Sequence, residues 1–272
     1  MLKNNSIALH AICKNEDYYI EEWIDYHSRI GIDYFILYDN NSDTSLKEQL
    51  TNYKNVKVIK WKDSYSATQL RSQKHCIIHN QNFRWIGFLD IDEYVVLLND
   101  STNLKEYMLE FEAYDGLGLY WLAFGANEHK HRQASTILSY TQSCPSLIAF
   151  NKHIKCFINP QKYIGNHWTS HYLPVNGNFV DVSHQDISSN WLSRQHFRTY
   201  IKDNNQKSIL NDKMRINHYH TRSLEDFQHK MKRGGGISVN KVYTMDGYKH
   251  LNYENIYNDD IIKTLRKLED KK

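Results

Sequence analysis

The 272-residue sequence has few of the features that mark several common protein classes. None of its four cysteines belongs to a Cys-x-x-Cys pair, which argues against a zinc knuckle, and nothing in the sequence requires a disulfide. No stretch approaches the roughly 18–20 apolar residues that span a bilayer. The first residues are too polar for a signal peptide. We therefore expect a protein of the reducing cytoplasm, soluble or peripheral on the cytoplasmic face of the membrane.

The sequence also lacks a strong charge of either sign. Lys and Arg number 34 and Asp and Glu number 31, so the formal net charge is +3. A nucleic-acid-binding protein usually carries a dense basic patch, so we expect no nucleic-acid partner. The slight positive balance and the charged segment 261–272 are compatible with docking on an anionic membrane surface, but a solvated helix is the simpler account of that segment.

Apolar segments alternate with segments of helical periodicity in the first ninety residues. Between the first strands, helices are predicted to start near Ile20 and Ser66. This alternation is typical of an α/β fold with a mostly parallel sheet and helices on both faces. Beyond Glu93 the pattern is less regular, and residues 159–190 are rich in loop-forming residues. The predicted strands are 7–13, 34–38, 56–61, 85–89, 116–124, one or two within 146–158, and 215–220; the later helices are 223–233 and 261–272.

Polar residues follow three of the predicted strands. They are Lys14-Asn15-Glu16, Asp39 to Asp43, and Asp90-Ile91-Asp92-Glu93. Ligands of parallel sheets bind beyond the carboxyl ends of the strands, so we expect these three segments to converge on one site. No glycine-rich loop follows the first strand. This absence argues against a dehydrogenase and against a nucleotidyltransferase with a glycine-rich phosphate loop.

Asp90 and Asp92 carry the clearest chemical signal. They have the same parity on an extended segment, so both carboxylates point the same way. Two like charges at a buried strand end are costly without a cation. A divalent metal ion relieves that repulsion and can also hold a diphosphate. The alternative is an acidic turn that only solvates the end of the strand.

Four segments of the chain resemble one enzyme family. They are ICKNEDYYIEEWIDYH, FILYDNNSDT, FLDIDEYVVL and INHYHTRSLEDFQHKMKRGG, which begin at Ile12, Phe35, Phe88 and Ile216. Together they resemble the GT-A glycosyltransferases, specifically the family-2-like and family-92-like group. The resemblance covers the N-terminal third and the region near residue 220, and it is weaker between them. It implies a GT-A fold, which is Rossmann-like, and a metal-dependent glycosyltransferase with Mn²⁺ or Mg²⁺ as cofactor.

The resemblance also implies roles for individual residues. Asp92 would bind the metal ion, and Asp90 would bind either the metal ion or the ribose of the donor. His218 would be the third metal ligand. His220, two residues later, is an alternative to His218 for that role. The nucleotide-sugar contacts expected are Asn15, Glu16, Asp39, Arg71, Gln73, Asp90, Lys230 and Arg233.

Several of these residues have a purely structural alternative. Glu16 can complement a helix dipole, Asp39 can form an Asx-turn, and Arg71 can be a solvated helix residue. Lys230 and Arg233 can belong to a mobile basic loop over the diphosphate or to an ordinary basic helix end.

An inverting enzyme, which the resemblance implies, needs a base for the acceptor hydroxyl. Glu128, Asp181 and Asp186 are candidates because they follow the metal motif. The resemblance also implies a UDP-sugar as donor and a glycan or glycolipid as acceptor, in bacterial surface polysaccharide or lipopolysaccharide synthesis. The alternatives are a nucleotide-sugar hydrolase and a non-catalytic nucleotide-sugar-binding domain. We expect residues 1–220 to form the catalytic domain and residues 221–272 a helical extension packed on it.

Overall fold

The structure is a computed structural model, and it describes residues 5–99, 101–146, 149–188, 213–233, 243–252 and 256–270. A large sheet forms its centre. The strands are β1 Ile7–Cys13, β2 Tyr34–Asp39, β3 Val56–Lys60, β4 Trp85–Phe88, β5 Glu93–Leu97, β6 Gly116–Ala123, β7 Gln142–Ser143, β8 Ile154–Ile158, β9 Phe179–Asp181, β10 Met214–His218 and β11 Ile256–Tyr257.

The strand order in the large sheet is β3-β2-β1-β4-β8-β6-β10-β5, and β9 pairs with β6 beside this path. Strands β3, β2, β1 and β4 are parallel to their neighbours within this group. Strand β8 is antiparallel to both β4 and β6, and β5 is antiparallel to β10. Strands β7 and β11 form a separate antiparallel pair. The sheet is therefore mostly parallel, as the sequence predicts.

Helices flank the sheet, which confirms the predicted α/β class. They are α1 Ile20–Arg29, α2 Leu46–Gln49, α3 Thr68–His79, α4 Leu104–Leu109, α5 Thr136–Ser139, α6 Leu224–Arg233, α7 Met245–Leu251 and α8 Asp260–Glu269; two short 3-10 turns are Ala149–Lys152 and Pro160–Lys162. The region 146–158 holds one described strand, β8, and not two. In the described ranges, no helix has the length and apolar character needed to cross a membrane.

Strand β5 is absent from the sequence prediction, although all five of its residues are buried. It begins at Glu93, directly after the acidic turn, and Glu93 N donates to Asp90 O within that turn. The turn reverses the chain, so β5 reaches the far edge of the sheet next to β10 instead of extending β4. In this register His218 lies opposite Glu93, which brings the later histidine to the acidic segment.

Side chains of α1 bond to the outer side of β5. The Trp23 indole donates to Glu93 O at 2.8 Å, the Tyr26 hydroxyl donates to Val95 O at 2.6 Å, and Val95 N donates to Nε2 of His27 at 3.2 Å. Burial lowers the pKa of His27 to about 3, so its ring is neutral and able to accept this bond. These bonds satisfy backbone groups that an edge strand would otherwise leave open.

Helix α8 bonds to the same outer edge of β5, one residue pair further along the strand. Thr264 donates to Leu97 O at 3.0 Å, and the buried guanidinium of Arg215 donates to Asp260 at 2.8 Å. The predicted C-terminal helix is therefore present and packed on the sheet. The division of the chain at residue 220 stays a prediction.

Candidate active site

A cleft of about 740 Å³ lies at the carboxyl ends of the parallel strands. Its wall includes Lys14 and Glu16 after β1, Asn40 and Asn41 after β2, and the segment Asp90–Asp92 after β4. The three polar strand ends singled out in the sequence therefore do meet at one edge of the sheet. His218 and His220 join them from the end of β10.

Asp90 is held by two side chains from distant parts of the chain. Gln69 Nε2 donates to its Oδ1 at 2.7 Å, and Lys155 Nζ donates to its Oδ2 at 2.8 Å. Burial alone would raise the pKa of Asp90, but the charge and hydrogen bond of Lys155, together with His218, lower it below its ordinary value. Lys155 also lies 3.4 Å from Glu93, whose pKa burial raises well above its ordinary value. Asp90 is therefore a fixed carboxylate that keeps its charge.

Asp92 faces the later part of the chain. Lys230 Nζ lies 2.6 Å from its Oδ2, and His218 Nε2 lies 3.5 Å from its Oδ1. Burial would raise the pKa of Asp92, but Lys230 and then His218 lower it well below its usual range. Burial lowers the pKa of His218, and Asp92 offsets this only in part. The imidazole is therefore neutral near pH 7 and able to offer a lone pair.

The chemistry of these groups fits a divalent cation. One ligand atom from each of Asp92, His218 and His220 lies within 4.8 Å of the others, and the same holds for Asp90, Asp92 and Glu93. Carboxylate and imidazole donors together suit Mn²⁺, whereas oxygen donors alone suit Mg²⁺. Nδ1 of His218 is buried and has no hydrogen-bond partner among the described residues. The residues named for a metal in the sequence are thus adjacent, with His220 included.

Glu16 forms ion pairs with two arginines. Arg222 lies 3.1 Å from one of its carboxylate oxygens and Arg233 lies 2.5 Å from the other. Arg222 also donates to Ile91 O at 2.8 Å and stacks on Tyr19, with its guanidinium carbon 3.8 Å from the ring centroid. Burial would raise the pKa of Glu16, but the two arginines outweigh burial and lower it. The network therefore fixes the backbone between Asp90 and Asp92.

Aromatic and imidazole rings form the wall of the cleft beyond the carboxylates. The centroid of Trp121 lies 4.2 Å from that of His218, 5.1 Å from that of His153 and 5.0 Å from that of His171. Phe150 stacks against His218 at 5.6 Å. Such a wall offers flat apolar faces with polar edges, which is the kind of surface that binds a sugar ring.

Three residues named from the strand ends and from α3 make local contacts. Asn15 pairs with Asp43 through its amide, and Asp39 Oδ1 accepts from the backbone N–H of Ser42, three residues on, at 3.0 Å. Arg71 forms a bidentate pair with Asp63, at 2.5 and 2.8 Å. None of these three side chains is among the described residues that line the large cleft; Asn15 borders a smaller pocket beside it. Their proposed contacts with a nucleotide stay predictions.

Gln73 is not among the described residues that line the large cleft. It is buried, Nε2 of His167 lies 3.2 Å from its Oε1, and it donates to Ser170 O at 3.4 Å. Gln69, one helical turn earlier, is the glutamine that lines the cleft and reaches Asp90. The predicted contact of Gln73 with a nucleotide stays a prediction, and Gln69 is a polar residue of the cleft that the sequence analysis did not name.

The candidate bases also lie outside the described cleft wall. Glu128 is exposed, with a backbone φ of +61°. Asp181 is buried on β9 and accepts three hydrogen bonds from Ser183 and Gln185. Asp186 accepts two bonds from Ser188. The base role of all three stays a prediction.

Sequence reasoning did not identify Gln69, Lys155, Trp121 or Arg222. Lys155 had a detectable signal, because it is a lone charge in the apolar strand IKCFI, and a buried lysine is almost always paired. Lys230 and Arg233 lie where the sequence predicted basic groups, at the end of α6 and on the cleft wall. The three glycines that follow them lie outside the described residues.

Comparison with known proteins gives a consistent family relationship. The sequence model described as "Glycosyltransferase family 92" matches residues 10–233. A protein of that family from Ricinus communis is 27% identical over 240 residues, covering 85% of this chain and 38% of its own. One from Oryza sativa subsp. japonica is 32% identical over 103 residues, covering 37% of this chain and 18% of its own. The chain thus spans well under half the length of these plant relatives.

Similarity to solved structures is lower. The crystal structure of 4-diphosphocytidyl-2C-methyl-D-erythritol synthase aligns with 58% of this chain and 76% of its own at 16% identity and a TM-score of 0.35. That of mannose-1-phosphate geranyltransferase from Thermus thermophilus aligns with 56% of each chain at 10% identity and a TM-score of 0.32. Similarity at this level does not extend to function.

Proposed function

The chain belongs to glycosyltransferase family 92, and from this premise we propose that its cleft transfers a sugar from a nucleoside-diphosphate sugar to an acceptor hydroxyl. The observation that carries the proposal is the meeting of Asp90 and Asp92 with Lys230 and Arg233 in one cleft at the carboxyl edge of a parallel sheet. Carboxylates there can bind a cation, and the cationic side chains can bind phosphate oxygens.

The donor half of the cleft lies on the β1–β4 side of the sheet. Asn40, Asn41, Asp63 and Tyr65 line this part. Tyr65 is 77% exposed, so its ring is open to stack on a flat group such as a nucleobase. UDP is the proposed nucleotide, carried over from the family resemblance.

Asp92, His218 and His220 would hold the divalent cation, Mn²⁺ by preference, with Asp90 beside it. When bound, such an ion stabilises the negative charge that develops on the leaving diphosphate. Lys230 and Arg233 supply further positive charge from the same wall. In a cleft that excludes water, donors placed where charge develops contribute strongly to rate.

The acceptor is proposed to bind against the wall of Trp121, His153 and His171. Nδ1 of His171 donates to Ile154 O at 2.9 Å, which leaves Nε2 as the accepting nitrogen of a neutral ring. Burial lowers the pKa of His171 well below its ordinary value, so the ring stays neutral at pH 7. A glycan or glycolipid hydroxyl suits this combination of flat faces and acceptors. Inversion, the bacterial setting, the cytoplasmic location and membrane docking remain predictions from the sequence.

The first experiment is a calorimetric panel of UDP, GDP and CDP with and without Mn²⁺. We expect one nucleotide to bind only with the metal ion, and Asp92→Asn to abolish that binding. Asp246→Asn is the matched control, because the Asp246 side chain is 94% exposed. Absence of binding by every nucleotide under every condition would refute the proposal.

A second experiment separates transfer from its alternatives. The corresponding UDP-, GDP- or CDP-sugar is incubated with and without a panel of oligosaccharide and glycolipid acceptors. Product sugar on an acceptor supports transfer. Release of the nucleotide at the same rate without an acceptor would instead indicate a hydrolase, and binding with no turnover would indicate a binding domain.

A further inference from the structure

The ammonium of Lys230 lies among the side chains proposed to hold the divalent cation. Its Nζ is 2.6 Å from Asp92 Oδ2, 3.3 Å from His220 Nδ1 and 3.0 Å from His220 O. Asp92 and His220 are also two of the three residues whose ligand atoms cluster within 4.8 Å. An ammonium and a metal ion therefore compete for the same carboxylate.

The other lysine at the acidic segment is held differently. Lys155 belongs to β8, at the centre of the sheet, and its side chain is 1% exposed. Lys230 comes from the last turn of α6, and its side chain is 13% exposed. Its four-carbon stem allows the ammonium to move by rotation alone. Lys155 is thus a permanent partner of Asp90, whereas Lys230 is able to leave Asp92.

Charge balance bears on where a divalent cation can bind in this cluster. Each aspartate of the pair already has one lysine partner: Asp90 has Lys155 and Asp92 has Lys230. Like charges a few ångströms apart repel strongly in a partly buried site. A divalent cation on Asp92 is therefore opposed by the Lys230 ammonium until that ammonium withdraws. Since Lys230 also lines the large cleft, the phosphate groups of a donor offer it a new partner.

We propose that Lys230 is a resident counter-ion of Asp92, which a divalent cation displaces and which then pairs with the donor phosphates. The inference rests on the proposed function and adds that binding of the cation and binding of the donor diphosphate strengthen each other. The cation binds weakly to the free protein and tightly when a diphosphate is present to receive Lys230. Removal of the Lys230 ammonium leaves Asp92 permanently available to the cation.

The test is a calorimetric titration with Mn²⁺ alone. It compares the wild type with Lys230→Met and Lys232→Met. Lys232 is the matched control, because its substitution removes the same charge from an exposed position of the same helix. If the state with Lys230 withdrawn is populated at about 10% or less, Lys230→Met binds Mn²⁺ at least about tenfold more tightly than the wild type. Lys232→Met should retain the wild-type affinity.

A second titration measures the coupling, with UDP as the probe. In the wild type, Mn²⁺ should increase the affinity for UDP strongly, and in Lys230→Met this gain should shrink. Lys230→Gln replaces Lys230→Met if circular dichroism shows that the methionine variant does not fold.

The inference is overturned if Lys230→Met binds Mn²⁺ no more tightly than the wild type, if Lys232→Met shows the same gain, or if no variant binds Mn²⁺. Failure of the proposed function has a different signature, since UDP, GDP and CDP would then bind to none of the proteins while the Mn²⁺ titration still reports on Lys230.

Discussion

Lys155 lies 2.8 Å from Asp90, and the lysine side chain is 1% exposed. Burial lowers the pKa of Lys155, but Asp90 and Glu93 more than offset this and raise it, so the lysine stays charged. The pair joins strand β8 to the acidic segment that follows strand β4. It explains how an acidic segment is held at a buried strand end.

Removal of this lysine should destabilise the protein. We expect Lys155→Met to lower the free energy of unfolding by about 3 kcal/mol, because it leaves the carboxylates without their buried partner. Urea unfolding followed by circular dichroism measures the change. Lys162→Met, at an exposed position, should stay within about 0.5 kcal/mol of the wild type. Equal stability of the two variants would show that the pair contributes little.

Substitution of two glutamines of α3 should have different effects, one on ligand binding and the other on stability. Gln69→Ala removes the hydrogen bond to Asp90 Oδ1 and should weaken nucleoside-diphosphate binding in the presence of Mn²⁺ by about tenfold. Gln73→Ala removes a partner of His167 and Ser170 and should instead cost about 1–3 kcal/mol of stability. Calorimetry and urea unfolding of both variants check this. The reverse pattern would favour the original assignment of Gln73 to the nucleotide.

His218 and His220 should differ as metal ligands. His218 lies 3.5 Å from Asp92 and is 3% exposed, whereas His220 is bonded to Lys230. We expect His218→Gln to weaken Mn²⁺ binding by about 10–100-fold, by analogy with the loss of a metal-orienting group. The control is His229→Gln, at an exposed position of α6. A larger loss in His220→Gln would make His220 the main imidazole ligand.

The ion pair between Arg215 and Asp260 should make the free energy of unfolding depend on pH. Burial would raise the pKa of Asp260, but hydrogen bonding to Arg215 lowers it below its ordinary value. The stabilisation is therefore fully present above the unfolded-state pKa and is lost as the pH falls through the lower folded-state pKa. Asp260→Asn should cost about 1–3 kcal/mol at pH 7.

The measurement is the free energy of unfolding from pH 7 down to about pH 2, below the ordinary pKa of an aspartate. The difference between the wild type and Asp260→Asn should shrink toward acid pH. Asp246→Asn, at a highly exposed position, should show neither effect. A difference that is constant with pH would mean that the charge of Asp260 is not the source of its stabilisation.

Much of the sheet could be predicted from local patterns. The segments IALHAIC and WIGF are short apolar runs between polar residues, and they form β1 and β4. Such runs are readable because a strand covered on both faces must be apolar throughout. Strand β5 was not predicted, because EYVVL directly follows the acidic turn and its place at the sheet edge depends on pairing with β10, far along the chain.

The sequence by itself determined the α/β class, the position of the acidic pair after β4 and the meeting of polar strand ends at one edge, since these follow from periodicity and from the topology of parallel sheets. Only the tertiary structure decided which cations hold those carboxylates. Lys155 is 65 residues from Asp90, and Lys230 is 138 residues from Asp92. Such pairings depend on strand order and helix orientation, which the packing of the whole core sets and no local pattern encodes.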